Sequence, residues 1–444
     1  MNKRLITFIF LLCATSLFGQ RYKEKQIRKD LQELTGFENA FVGFVLFDPE
    51  QNKVLADHLA SKHLTPASIT KLFTYWASSR ALPNQLPALE YTVNGDSLIF
   101  WSTGYPLTLH PDEPDSTVIN FLSEQEKHLV YWPRPIADER YGPGWGWDDF
   151  GGYYGAEKSV FPIYGNSVEF ILNNEKEEFQ MSPNYKGFQA SIAEERSNRA
   201  RVYRDEFWNE FEIKFDSTID FTQPIDTLIR PFRYADHLFV DLLSQAIKKP
   251  IFLKTTFERP SEFSTVNGVA ADSLYKWMLQ PSDNLFAESL LLMTSGMRSD
   301  TLSTKAAIAF ENDSILSMPK RTDKHKLVWV DGSGLSRYNM FTPNQMTDVL
   351  YGMYLKYGEE LLFELLPQGG ISGTLEDNYA GENGQAYVFA KTGTLSNNHT
   401  LSGFIKTSLG KTLIFTLMAN HYTCSTDQVK ENFEVILRKI RSAY

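Results

Sequence analysis

The 444-residue sequence predicts an α+β fold, with strand-rich ends and a long, mostly β middle. Three stretches carry that prediction. Ala40 to Phe47 is rich in strand formers, Asp48-Pro49-Glu50-Gln51-Asn52 has the composition of a turn, and Lys53 to Ala56 begins a partner strand, so a hairpin is expected there. Near the other end, Ala386 to Thr394, Thr400 to Thr407 and Lys411 to Ala419 read as three strands. The last two join through Ser408-Leu409-Gly410, and Asp427 to Ile440 reads as a closing helix. In this reading Lys391 lies on a strand that other strands flank. The aromatic-rich middle contains short β-like runs at Tyr91 to Phe100, Ser167 to Leu172 and Phe207 to Phe215.

The length exceeds that of a usual single domain, so two or more compact units are expected. A hydrophobic fraction of 42% and an aromatic fraction of 14% suit large buried cores and exclude a disordered chain. The net charge is -10 and no Lys/Arg cluster offers a phosphate footprint, which excludes nucleic acid as a partner. The Lys/Arg-rich helix expected from Tyr22 to Leu34 is mixed in sign and reads as a solvated face.

Residues 1–19 have the layout of a secretory signal: Lys3 and Arg4, the apolar run Leu5 to Leu12, then small residues before Gln20. That run is too short to span a bilayer, no later stretch is longer, and Leu12 stands before Cys13 where a lipid-attachment signal needs a small residue. Removal of the signal leaves Cys424 alone, so no internal disulfide forms. The mature chain is therefore expected to be an exported, periplasmic protein without a stable membrane span.

Chemistry enters through three short segments in a fixed order: Ser68-Ile69-Thr70-Lys71, Ser282-Asp283-Asn284 and Lys391-Thr392-Gly393. Each alone is weak, because Ser317 to Lys320 and Ser408 to Lys411 also read S-x-x-K, and Ser182-Pro183-Asn184 and Ser396-Asn397-Asn398 also read S-x-N. Context separates them. Ser68 follows Pro66-Ala67 and opens the helix-compatible run Leu72 to Ala77, whereas the Ser317 motif contains a proline and Ser408 lies in a glycine turn. A helix starting near Ser68 places Lys71 one turn later on the same face, within reach of the hydroxyl.

As a trio, S-x-x-K, S-D-N and K-T-G mark serine enzymes of the penicillin-binding and class A β-lactamase type, which work through an acyl-enzyme. A serine hydroxyl needs an adjacent base, and a lysine desolvated beside another cation can serve; Lys71 is the candidate, with Lys391 as the neighbouring cation. Ser282 passes the proton to the leaving amine, and the Asn284 amide holds the substrate's peptide group. Lys391 offers a positive charge to a substrate carboxylate, with Thr392 and Thr394 beside it, and Gly393 lets substrate backbone lie close along the strand. The backbone N–H groups of Ser68 and Thr394 are the candidates for the oxyanion. No metal is called for, since His58 and His63 are five apart and no H-E-x-x-H occurs, and the chemistry needs no cofactor.

The sequence resembles the low-molecular-mass class C penicillin-binding proteins, the D-alanyl-D-alanine carboxypeptidase/endopeptidases that trim peptidoglycan. The likeness extends beyond the trio to Ser282-Asp283-Asn284-Leu285-Phe286-Ala287-Glu288, Asp331-Gly332-Ser333-Gly334-Leu335-Ser336-Arg337 and Gly373-Thr374-Leu375. It also includes Gly144-Trp145-Gly146-Trp147-Asp148-Asp149 with Tyr153-Tyr154-Gly155-Ala156. One departure is Gly104-Tyr105-Pro106, where the family usually has a glycine-aspartate-proline turn.

The resemblance implies a fold of the penicillin-binding-protein/serine β-lactamase type, a five-stranded antiparallel sheet with helices on both sides and inserted mostly-β domains. Residues 20–80 and 268–444 would then be two pieces of one catalytic domain and 81–267 the insert. It implies peptidoglycan stem peptides as substrate and β-lactams as covalent inhibitors. Arg337, near the catalytic sheet by this likeness, would bind a stem-peptide carboxylate or else tie its own loop. Two other functions share parts of the pattern, a serine β-lactamase and a catalytically idle wall-binding module. The long insert and the lack of an assignable deacylating glutamate disfavour the first, and intact Ser68 and Lys71 disfavour the second.

Overall fold

Phe41–Asp48 is buried along almost its whole length, so this strand must be covered on both faces. A computed structural model describes residues 24–218, 225–316 and 325–444. The signal-like residues 1–19 and the Ser317 motif lie outside the described residues. The chain divides into two units, one running to Leu72 and resuming at Leu316–Val328 and Asn339–Tyr444, the other comprising Phe73–Ile315 and Trp329–Tyr338.

The first unit is built on a five-stranded sheet in the order Val388–Leu395, Asn398–Lys406, Thr412–Asn420, Phe41–Asp48, Lys53–His58. Every neighbouring pair is antiparallel. Val42, Phe44 and Leu46 form one core with Ile27 and Leu31 of helix Glu24–Glu33 and with Phe433, Ile436 and Leu437 of helix Thr426–Ala443. On the opposite face, Phe47 meets Tyr351 of helix Pro343–Leu365 with ring centroids 5.0 Å apart. That helix comes close enough that a Cβ on Gly43 would lie 2.7 Å from Pro343 Cγ. Period-two alternation thus sends even-numbered residues of the strand to one helical layer and odd-numbered ones to the other. Strands from both ends of the chain share one sheet, which is the α+β architecture the resemblance implies.

One expectation is corrected here. Val388–Leu395, which carries Lys391, is not flanked by strands on both sides but forms an edge of the sheet, paired only with Asn398–Lys406. The physical reason is the long-range pairing of Phe41–Asp48 with Thr412–Asn420, which extends the sheet on the far side and leaves this edge open.

The same sheet sets the approach to Ser68. The Asn420 amide, buried at the end of its strand, accepts from Thr65 N at 2.6 Å and donates to Thr65 O at 3.1 Å. Leu64 adds a bridge to Phe341. The chain then turns into Ala67–Thr70, a short 3-10 segment, and continues as helix Lys71–Ala81.

The second unit holds a mixed five-stranded sheet in the order Ile251–Leu253, His128–Tyr131, Ser97–Ser102, Gln85–Asn94, Ser264–Ala270, and two smaller three-stranded sheets. The β-like run Tyr91 to Phe100 is not one strand: the chain reverses at Asn94-Gly95-Asp96, with Gly95 at φ 59°, and residues on either side pair antiparallel. An Asn-Gly pair between apolar runs is a hairpin signal, and here the turn overrides the continuous β composition around it. At Gly104-Tyr105-Pro106, where the sequence departs from the family's pattern, Gly104 has φ 92° and the Tyr105 hydroxyl donates to Asp115 at 2.6 Å and accepts from Val269 N at 3.1 Å. Helices Thr117–Glu124, Asp236–Ile247, Ala271–Leu279 and Asn284–Gly296, with nearly all of Thr304–Leu316, also belong to this unit.

Candidate active site

Ala67 adopts a left-handed backbone at φ 51°, which breaks the chain direction one residue before Ser68 and starts the 3-10 turn. Thr70 Oγ1 donates back to Ala67 O at 2.8 Å and stiffens that turn. Ser68 is partly exposed, whereas Lys71, three residues on, is fully buried and its Nζ lies 3.0 Å from Ser68 Oγ. The expected spacing is therefore realised, through a 3-10 turn rather than the first turn of the α-helix. Lys391 is fully buried as well and donates to Thr392 O at 2.9 Å. Burial first, and then the positive charge of Lys71, push the Lys391 ammonium well below its ordinary value. Two ammonium groups that share a desolvated site cannot both be charged without a large penalty.

Gly393 brings the edge strand onto the Ser68 turn. A Cβ there would lie 2.7 Å from Ser68 N, 2.7 Å from Pro66 O and 2.5 Å from Thr400 Oγ1, so only glycine fits. Thr400 Oγ1 donates to Pro66 O at 2.7 Å and locks the turn to the second strand of the sheet. Thr392 donates to Thr374 Oγ1 at 2.7 Å, which ties the Gly373-Thr374-Leu375 segment to the Lys391 strand. Thr394 is exposed at the strand's end, its Oγ1 2.9 Å from His399 Nδ1. The first unit thus brings together Ser68, Lys71, Lys391, Thr392, Gly393 and Thr394.

Ser282, Asn284 and Arg337 belong to the second unit. Ser282 is left-handed at φ 69°, a strained conformation for a non-glycine residue. Asp283 caps helix Asn284–Gly296, its carboxylate accepting from Phe286 N at 2.7 Å. Asn284 Nδ2 donates to Tyr154 O at 2.9 Å. Ser282 and Asn284 line a cavity of about 320 Å³ walled by Tyr153, Tyr154, Trp277 and Phe286. Arg337 is exposed, and its backbone N–H donates to Gly144 O at 3.2 Å.

Several residues in this unit take supporting roles that the sequence did not assign. Asp331 accepts from Trp145 Nε1 at 2.9 Å, Gly334 N at 2.9 Å and Ser336 N at 2.6 Å, which folds the loop that ends in Arg337. Glu288 accepts from Ser333 N at 2.8 Å and pairs with Lys158 at 3.0 Å, while Lys158 also meets Asp138 at 3.1 Å. Burial opposes the charge on Lys158, yet the two carboxylates outweigh it and hold the amine above its ordinary value. The bond from Ser333 N to Glu288 ties the Asn284 helix to the Asp331 loop, and Lys158 balances the buried carboxylate. The aromatic segment around Trp145, the Asp331 to Arg337 segment and the Glu288 end of the second motif were the sequence signals that pointed there.

A family model described as the D-Ala-D-Ala carboxypeptidase 3 (S13) family matches residues 135–440. The D-alanyl-D-alanine carboxypeptidase DacB of Haemophilus influenzae is 24% identical over 473 residues, covering 92% of this chain and 91% of that protein. A carboxypeptidase DacB of Mycolicibacterium smegmatis is 31% identical over 150 residues, 32% of each protein. Among solved structures, penicillin binding protein 4 of Haemophilus influenzae matches with a TM-score of 0.73 at 19% identity, covering 93% of this chain and 97% of that one. The same protein in complex with a β-lactam matches with a TM-score of 0.69. These structural likenesses show the fold.

Two outcomes follow from this geometry. Gly393→Ala drives a methyl group into the backbone at Ser68, and stopped-flow measurement of penicillin acylation should show a rate at least about tenfold lower, the scale of an overpacked site. Lys391→Met should raise the melting temperature at neutral pH, because the unfolded chain binds a proton at Lys391 that the folded one resists. A lowered pKa on a base makes stability rise with pH, so the gap between variant and parent should narrow as pH climbs towards the ordinary 10.5.

Proposed function

The chain belongs to the D-Ala-D-Ala carboxypeptidase 3 (S13) family and is a serine-type carboxypeptidase of that class, and from that premise we propose that Ser68 is its nucleophile and Lys71 its base. The observation that carries this reading is the 3.0 Å contact between Ser68 Oγ and the fully buried Lys71 Nζ, with Lys391 buried beside them. When Lys71 is neutral, its lone pair takes the proton of Ser68 as Oγ attacks the carbonyl carbon of the penultimate D-alanine. The C–N bond breaks, the terminal D-alanine leaves as an amine, and water then hydrolyses the ester to restore the serine.

Ser68 N and Thr394 N receive the oxyanion in this proposal, supported by the close approach of Gly393 to Ser68 N. Lys391, Thr392 and Thr394 take the substrate carboxylate along the open edge of the sheet, where a peptide can lie as an added strand. Ser282 and Asn284 enter on the strength of their motif, as the proton carrier to the leaving amine and the amide that holds the substrate peptide. Arg337, exposed on a loop whose backbone is held by Asp331 and Gly144, serves a further carboxylate of the stem peptide.

The substrate is a peptidoglycan stem peptide ending in D-Ala-D-Ala, and an amide cross-link between stems is open to the same attack, which makes endopeptidase action part of the proposal. A β-lactam ring carries a comparable acyl carbon, and the ring amine stays tethered after opening, so the adduct persists. Among the described residues no helix is long and apolar enough to cross a membrane. Export to the periplasm fits the signal-like start and the substrate. A catalytic domain formed by residues 20–80 and 268–444, interrupted by 81–267, fits the sharing of one sheet by both chain ends.

Ser68→Ala should abolish both D-alanine release from a purified pentapeptide muropeptide and covalent labelling by fluorescent penicillin, read by mass analysis and gel fluorescence. A label that persists on the variant would mean that another serine is acylated, and Ser408 and Ser317 are the alternatives to test.

A further inference from the structure

His399 stands directly opposite Thr394 in the antiparallel pair formed by Val388–Leu395 and Asn398–Lys406. It is 1% exposed, and its ring packs against Phe433 at a centroid distance of 5.6 Å. Its one polar contact in the described structure is Nδ1 to Thr394 Oγ1 at 2.9 Å, while Nε2 is buried with no hydrogen-bond partner among the described residues. Burial, and then the charge of Lys430, push the imidazole down to about 3, so the ring is neutral throughout the working range.

A neutral imidazole carries one N–H, and the hydrogen-bond pattern assigns it. A proton on Nε2 would be a buried donor without an acceptor, whereas a proton on Nδ1 finds Thr394 Oγ1. Nδ1–H therefore donates, and the threonine oxygen accepts. With that lone pair engaged, the hydroxyl hydrogen of Thr394 is directed away from His399, on the exposed end of the edge strand.

We propose that His399 is a positioning residue for substrate recognition: by donating to Thr394 it fixes the threonine hydroxyl as an outward hydrogen-bond donor to the terminal carboxylate of the substrate. This rests on the reading of Thr394 as a substrate-binding residue. Without His399, the hydroxyl rotates among its three staggered positions and offers its hydrogen to the carboxylate for only part of the time. The histidine touches no substrate atom itself.

Four single variants and one double variant test this in the full-length protein, with a pentapeptide ending in D-Ala-D-Ala and with its C-terminal amide as substrates. An asparagine side-chain amide superposes on the Nδ1 position and can donate to Thr394, whereas a glutamine amide reaches the Nε2 position and cannot. His399→Phe and His399→Gln should each lower kcat/KM on the free-carboxylate peptide about tenfold, the scale of one charge-assisted hydrogen bond. His399→Asn should stay within about threefold of the parent. On the amide peptide all three should match the parent.

Thr394→Val should lose as much as His399→Phe on the free-carboxylate peptide, and the double variant no more than either. Equal losses on both peptides, or Asn and Gln variants that behave alike, would overturn the inference and make His399 a packing residue. If His399→Phe fails to fold, the Asn and Gln pair carries the test. A silent Thr394→Val overturns the premise and the inference with it; an impaired Thr394→Val beside a fully active His399→Phe overturns the inference alone.

Discussion

The rest of the active-site geometry depends on two lysines buried in one place. Lys71 and Lys391 are both inaccessible to solvent, and each is brought there by a different part of the chain. Desolvation and mutual repulsion make two ammonium groups at this spot unfavourable, and the depression of Lys391 is the visible consequence. A protein under selection for stability alone would place apolar side chains here. In the proposed mechanism Lys71 accepts the proton of Ser68, and the arrival of a substrate carboxylate favours a charged Lys391 again.

The sheet edge is the second constraint. Because Phe41–Asp48 pairs with Thr412–Asn420, the Lys391 strand has one partner and one open side. An open edge with unpaired backbone groups is ordinarily a liability, and in the proposed function it is the rail for an extended peptide. Gly393 lets that rail run against the Ser68 turn, and the Thr400 hydroxyl and the Asn420 amide hold the turn from the same sheet. Small groups and hydrogen bonds to the backbone, rather than large side chains, therefore set the position of Ser68 relative to that strand.

Much of this was legible in the chain, for physical reasons that differ by residue. Ser68 and Lys71 are three apart, so local geometry alone joins them, and the strands near the carboxyl terminus announce themselves by apolar runs bounded by glycine turns. The closing helix and the first hairpin were legible in the same way. The edge position of the Lys391 strand was not, because strand order depends on a pairing between residues almost the whole chain apart. The reversal at Asn94-Gly95 had a signal that composition masked. The roles of His399 and Lys158 were invisible, and Asp331 and Glu288 stood in recognisable segments without a visible role, because a polar residue acquires its meaning from partners that only the fold supplies; Lys158 reads as one more exposed lysine until Glu288 and Asp138 stand beside it.

The most direct test of this account is the protonation of Lys391 itself. With lysine labelled at Cε with carbon-13, the Lys391 resonance, assigned by its loss in Lys391→Met, can be followed against pH by NMR. The account predicts a midpoint well below the ordinary 10.5 in the free protein, and an upward shift when a ligand bearing a D-alanyl carboxylate binds. A Lys391 resonance that titrates at 10.5 and does not move with ligand would contradict it.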